Sequence, residues 1–218
     1  EQIAAGYSEL YYQHKKLTVR AGARAEWTMM NGTPRVSTQT PVKREYFNVF
    51  PSAYFSYNFT KDLVTSFSYS NRVTRPTFQD LDPFVEYIDS LSSLRGNPYL
   101  QPEYVHALEA SLIYMQEANF TLGYTRNNDA MTLIIDRLND GSDAFTATTK
   151  NIDHSETYSV GVTLPYETKY WTTGNYIGYF LNTFSYSSSG VPVNNERSSW
   201  YFYVWNEFRI KKFQSQAL

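Results

Sequence analysis

The chain has 218 residues with 19 basic and 21 acidic side chains, a net charge of −2 and no cysteine. That balance excludes a nucleic-acid binder built on a basic stripe, and the missing thiols exclude disulfides, thiolate metal sites and a cysteine nucleophile. Twenty Tyr, fourteen Phe and four Trp suit strands and interfaces where one end of a ring is dry and the other wet.

No apolar run approaches the roughly 18 residues of a membrane helix. A spanning strand needs only about 9 to 11 residues with every second one apolar, and the chain is read with that period in mind. Residues 3–13 are aromatic and alternating, and His14-Lys15-Lys16 is a short turn. The next strand has the clearest phase: Leu17, Val19, Ala21, Ala23, Ala25, Trp27 and Met29 fall on one face, and Thr18, Arg20, Gly22, Arg24, Glu26 and Thr28 on the other. A polar loop with Gly32, Pro34 and Pro41 follows, then a strand in which Phe47, Val49, Pro51, Ala53, Phe55, Tyr57 and Phe59 share a face. Pro51 cannot donate to a ladder, so a local bulge is expected there.

A turn at Thr60-Lys61-Asp62 starts a strand over 63–73, with Leu63, Phe67 and Tyr69 opposite Ser66, Ser68, Ser70 and Arg72. After a long excursion, Leu108, Ala110, Leu112 and Tyr114 face away from Glu109 and Ser111; past a turn at 116–119, Phe120, Leu122 and Tyr124 resume the apolar face. Asn139-Asp140-Gly141 is a hairpin signal. A strand over 145–165 sets Tyr158, Val160, Val162 and Leu164 against Ser159, Gly161 and Thr163. The turn Glu167-Thr168-Lys169 leads to strands over 170–186 and 198–210, joined by a Ser-, Gly- and Asn-rich loop at 187–197; Trp200, Phe202, Val204, Phe208 and Ile210 share a face.

This makes about nine full strands, with 213–218 as the start of a tenth. Short turns near Lys15, Lys61, Ala118 and Lys169 alternate with loops at 31–44, 76–101, 136–144 and 187–197, the order of periplasmic turns and outer loops in an up-and-down transmembrane β-barrel. A soluble β-sandwich with Greek-key crossings has no reason to keep that order. In lipid every strand edge must be paired, so the chain either closes on itself or is part of a larger cylinder. It begins at Glu1 without Met or a signal peptide and reads as an excerpt of a longer protein.

The excursion carries the most specific signal. It leaves through Arg75-Pro76-x-Phe78-x-x-Leu81-x-Pro83-Phe84 and re-enters through Gly96-Asn97-Pro98-x-Leu100-x-Pro102-Glu103. Gly96 allows a turn closed to other side chains, and the prolines straighten the approach to Tyr104. With the Arg20-to-Glu26 strand and the Thr149-x-Asn151 strand, this pairing resembles the outer-membrane β-barrel of TonB-dependent receptors, above all the branch common in Bacteroidetes-type bacteria. The resemblance implies a parent barrel of 22 strands, of which residues 1–218 are a part, with the plug domain and terminal strands outside this chain. It implies a bacterial outer-membrane location, no cofactor, and energised uptake of a scarce solute. The partners implied are outer-membrane lipid, the receptor's own plug domain and the TonB complex, with a surface lipoprotein left open.

Strand phase sends Arg20, Arg24, Glu26, Arg72 and Glu109 to the polar face, where a barrel interior would hold them against each other or a plug. Phe78, Phe84, Tyr87, Arg95 and Tyr99 lie in the excursion, as ligand contacts or as loop packing. Asp80 and Asp82 offer oxygen ligands for calcium or are solvated loop charges, and Asp136, Asp140 and Asp143 fit hairpin chemistry around Gly141. Asn-x-Thr at Asn31, Asn58 and Asn119 matches a glycosylation acceptor by chance. His14, His106 and His154 have no sequence-local acid or nucleophile elbow, so a small complete barrel with hydrolase activity is the weaker alternative, as is a soluble carbohydrate-binding sandwich burying Trp27, Phe67 and Val160 between layers.

Overall fold

The structure is a computed structural model that describes residues 2–32, 42–115, 117–138, 143–188, 191–210 and 213–217. In chain order the elements are β1 (Gln2–His14), β2 (Leu17–Gly32), β3 (Val42–Asn58), β4 (Leu63–Thr74), the one-turn helix α1 (Phe78–Leu81), β5 (Val85–Tyr87), β6 (Ser92–Arg95), β7 (Glu103–Tyr114), β8 (Ala118–Arg137), β9 (Phe145–Glu167), β10 (Trp171–Ser188), β11 (Val191–Ile210) and β12 (Phe213–Ala217). All twelve strands belong to one sheet, whose main path runs β1-β2-β3-β4-β7-β8-β9-β10-β11-β12. Each step on that path is antiparallel, and β1 does not meet β12 among the described residues, so the sheet is open.

Register keeps the two faces apart along the whole path. Trp27 pairs with Phe47, Phe55 with Phe67, Phe67 with Ala110, Leu108 with Tyr124, Leu122 with Val160 and Ile177 with Phe202, while Ser66 meets Ser111 and Thr157 meets Asn182 on the other side. The polar face is bonded across strands, Ser66 Oγ to Ser111 Oγ at 2.7 Å and Thr157 Oγ1 to Asn182 Oδ1 at 2.8 Å. Trp27, Phe67 and Val160 are 46%, 49% and 38% exposed, so the apolar face is a surface and the sandwich reading fails.

Two rows of rings bound the apolar face. Near the short turns lie Tyr57 with Phe59 at 4.9 Å, and Tyr166 with Trp171 at 5.9 Å; at the opposite border lie Tyr124 with Tyr158 at 5.0 Å, and Tyr179 with Trp200 at 4.8 Å. From Tyr158 to Tyr166, at about 3.3 Å per residue and a tilt of about 40°, the rows stand roughly 20 Å apart, close to the apolar band of a barrel between its aromatic girdles. Just beyond the second row the same face turns ionic, with Arg126 on Glu156 at 2.9 Å.

Three expectations change. The loop expected at 187–197 is mostly ladder: β10 and β11 pair from Ser188↔Val191 onward, and Asn194, Asn195, Glu196 and Arg197 meet Ser185, Phe184, Thr183 and Asn182. Polar residues that read as a loop are a strand pair extended past the apolar band, where neither face needs apolar side chains. Second, Pro51 sits opposite Ala23 in an unbroken β2–β3 register, with no bulge. The Asn58 N–H donates to the Lys16 carbonyl at 2.9 Å, which fixes the alternation of the ladder and turns the Pro51 nitrogen toward β4. There the ladder ends at Ser52↔Ser70, one residue short of the missing donor. Third, the excursion at 76–101 is built of α1, β5 and β6 instead of open loop. Asn139, Asp140 and Gly141, with Pro34 and Pro41, lie outside the described residues.

Candidate functional site

The excursion between β4 and β7 folds across the polar face and is anchored at both ends. Its first anchor is Arg75, immediately after β4. The guanidinium donates to Glu26 Oε2 at 2.6 Å, Thr28 Oγ1 at 3.0 Å and the Tyr46 hydroxyl at 3.2 Å, reaching over β3 to β2. Glu26 is 5% exposed and Thr28 fully buried. Glu26 also receives Arg24 Nε at 2.6 Å, so one buried carboxylate holds two guanidinium groups. Buried charge is tolerated only when paired and hydrogen-bonded in this way.

The two sequence motifs then bond to each other. Thr77 and Asp80 form a reciprocal capping box on α1, which satisfies the first N–H groups of a helix too short to hold itself. The Asn97 N–H donates to the Asp80 carbonyl at 2.6 Å. A Cβ on Gly96 would lie 2.2 Å from the Asp82 carbonyl oxygen and 2.7 Å from that of Gln79. Glycine is therefore set by the close approach of the two legs. Asp82 accepts the Phe84 N–H at 3.1 Å; with Asp80 in the capping box, both aspartates serve the local backbone.

The second anchor is the re-entry itself. Arg44 on β3 donates to the carbonyls of Pro98, at 2.9 Å, and Leu100, and the Leu100 side chain is fully buried. The Asn97 amide donates to the Thr149 carbonyl at 3.2 Å. Asn151 clamps Gln101 from both sides, accepting its N–H at 2.8 Å and donating to its carbonyl at 3.0 Å. Glu103 accepts the Met131 N–H at 2.9 Å. Farther out, β5 and β6 pair as a hairpin, and β6 lies parallel to the first residues of β9, Ser92↔Phe145 to Arg95↔Thr148. β8 holds one edge of β9 from Phe145 to Thr163, and β10 takes the other only from His154. β6 thus fills the edge that β10 leaves, having crossed the widths of β7, β8 and β9.

Of the polar-face residues expected from phase, the structure brings Arg24 and Glu26 together directly, with Arg75 on the same carboxylate. Arg20 sits over the Tyr11 ring, 5.2 Å from its centre. Arg72 and Glu109 are exposed on neighbouring strands, opposite Val105 and Ser68. Phe78, Phe84, Tyr87 and Tyr99 are 74–79% exposed and Arg95 is exposed, so they do not pack into the loop. Tyr87 and Arg95 share a face of the β5–β6 hairpin by register. The Asp89 carboxyl in that hairpin's turn is held below the usual carboxylate range, chiefly by the N–H of Leu91 at 2.7 Å. Asp136 pairs with Lys150 at 2.6 Å, and Asp143 with Arg137. His106 bonds the Tyr69 hydroxyl at 3.0 Å and stacks on its ring; His14 stacks on Tyr12. Sequence reasoning missed Arg75, Arg44 and Asn97 as anchors, although all four strand and loop signatures it singled out supply the bonding partners.

No curated protein matches the chain. Solved structures share its fold: the hemophore receptor HasR of Serratia marcescens, in complex with its hemophore HasA and heme (12% identity, TM-score 0.63, 96% of this chain and 46% of that one); the copper transporter OprC (10%, 0.62, 96% and 40%); and the siderophore receptor PirA from Pseudomonas aeruginosa (12%, 0.54, 96% and 51%). The chain spans about half the length of HasR and PirA, and less of OprC. At these identities the likeness establishes the fold, and it bears out the resemblance to TonB-dependent receptor barrels at that level. The outer membrane protein beta-barrel family matches residues 1–217. This chain is a member of that outer-membrane family, with its apolar face and ring rows toward lipid and its polar face toward the barrel interior.

Proposed function

We propose that the chain is the barrel portion of a TonB-dependent receptor that takes up a scarce solute across the outer membrane with energy from the inner membrane. The anchored excursion carries this reading. It lies over the interior face and presents Phe78, Phe84, Tyr87, Tyr99 and Arg95 to solvent, an arrangement suited to gripping a solute before passage. Aromatic faces with one cation bind planar or anionic groups. Family membership and the receptor folds of HasR and PirA support it. Arg20, Arg24, Arg72 and Glu109 would meet a plug domain from the interior side, while Glu26 is taken up by Arg24 and Arg75.

No covalent step is required; the barrel's work is differential binding followed by plug displacement. The test is growth of a deletion strain on limiting ferric chelates, cobalamin or oligosaccharides, complemented with the full-length protein. The expected result is a defect on one nutrient that needs TonB and is not restored by the Tyr87→Ala, Arg95→Ala variant. Full complementation by the wild-type protein in a strain that lacks TonB would refute energised uptake.

A further inference from the structure

The excursion is braced within itself as well as docked on the wall. Within it stand the capping box, the Gly96–Asp82 contact, the Asn97–Asp80 bond and the β5–β6 ladder. Against the wall it has the side-chain bonds of Arg75, Arg44, Asn97 and Asn151, the buried Leu100 near its exit, and a four-residue parallel ladder to β9. No apolar core glues its middle down: Phe78, Phe84, Tyr87, Ile88 and Leu91 are all more than half exposed. The seam beneath its origin is also unladdered, since β3 and β4 pair only from Ser52 to Asn58, and Asn48 Nδ2 and Asn71 Oδ1 are buried there without a partner. Segments with few buried apolar contacts open locally at low cost.

We infer that residues 75–102 form a strap that undocks from the interior face as one body, with Arg75 on Glu26 as the latch at one end and β6 on β9 as the latch at the other. Docked, it covers the interior between β2 and β9. Undocked, it swings on its connections to β4 and β7 and uncovers that surface. Because the body is stiff, loosening one latch loosens the other, roughly 25 Å away at about 4.8 Å per strand. The mechanics hold whatever solute is carried.

The test is amide hydrogen exchange on the full-length protein in detergent micelles, comparing wild type with Glu26→Gln, which keeps the shape and removes the charge. Two wall-docking amides lie far from Glu26: Gln101 on Asn151, and Phe145 on the Leu91 carbonyl. They should speed up together by about tenfold, the difference between a charge-assisted and a neutral bond. The strap's internal amides, Asp82, Ile88 and Asn97, should keep their protection. Unchanged rates at the two distant amides, or loss of protection inside the strap, overturns the inference. The chain has no native cysteine, so a Leu94→Cys, Ala147→Cys pair across β6 and β9 gives the reciprocal test. Oxidised, it should slow exchange at Gln101; slowing confined to β6 overturns the inference as well.

Discussion

Gly96→Ala is the sharpest perturbation of the excursion. The new Cβ would stand 2.2 Å from the Asp82 carbonyl oxygen and 2.8 Å from its carbonyl carbon. Both are backbone atoms, so no rotamer relieves the contact. To reach ordinary van der Waals distance the two legs must part by about 1 Å, which breaks the 2.6 Å bond from Asn97 N–H to the Asp80 carbonyl. Overpacking costs about 1–3 kcal/mol and a lost hydrogen bond about 1 kcal/mol, giving about 2–4 kcal/mol. All of it falls on the excursion, because the ladders of β7, β8 and β9 do not involve Gly96. Exchange at the Asn97 and Asp82 amides should rise by one to three decades and proteolysis at 84–95 should quicken. The folded barrel should keep its mobility on unheated gels. Asn97 protection within threefold of wild type would refute the close-approach account.

Phe202→Arg places a cation on the apolar face just inside the ring row of Trp200, opposite Ile177, and should cost about 1–3 kcal/mol of folding into lipid vesicles. Tyr201→Arg, its neighbour on the interior face, should cost under about 1 kcal/mol by the same urea titration. Asp89→Asn should loosen the β5–β6 turn near neutral pH. A carboxyl whose folded pKa is depressed stabilises above its unfolded value and loses that stabilisation as pH falls through the folded one. The variant and wild type should therefore converge in acid, read as Leu91 amide exchange against pH.

The period-two pattern was enough to place nine of the main-path strands and both faces, because alternation is forced wherever one face meets lipid and the other does not. It failed beyond the apolar band. Asn194, Asn195, Glu196 and Arg197 alternate nothing, yet the ladder carries them on, since backbone pairing does not require an apolar side. Pro51 was legible as a missing donor, but which neighbour lost the bond depends on ladder phase, which the sequence does not contain. The excursion's motifs were legible as a specific pair. That Gly96 meets Asp82, that Arg75 spans to Glu26, and that Asn151 holds Gln101 are contacts between distant segments, and no local pattern encodes them.

The central claim is the two-sidedness of one sheet with the excursion on its inner side. Single cysteines at Phe47, Phe67 and Phe202, and at Ser68, Ser111 and Tyr201, can each carry a fluorophore in the full-length protein reconstituted in lipid. Quenching by spin-labelled acyl chains should be strong at the first three and weak at the second three. Equal quenching at both sets, or the reverse order, would contradict the assignment of faces and with it the position of the excursion inside the barrel.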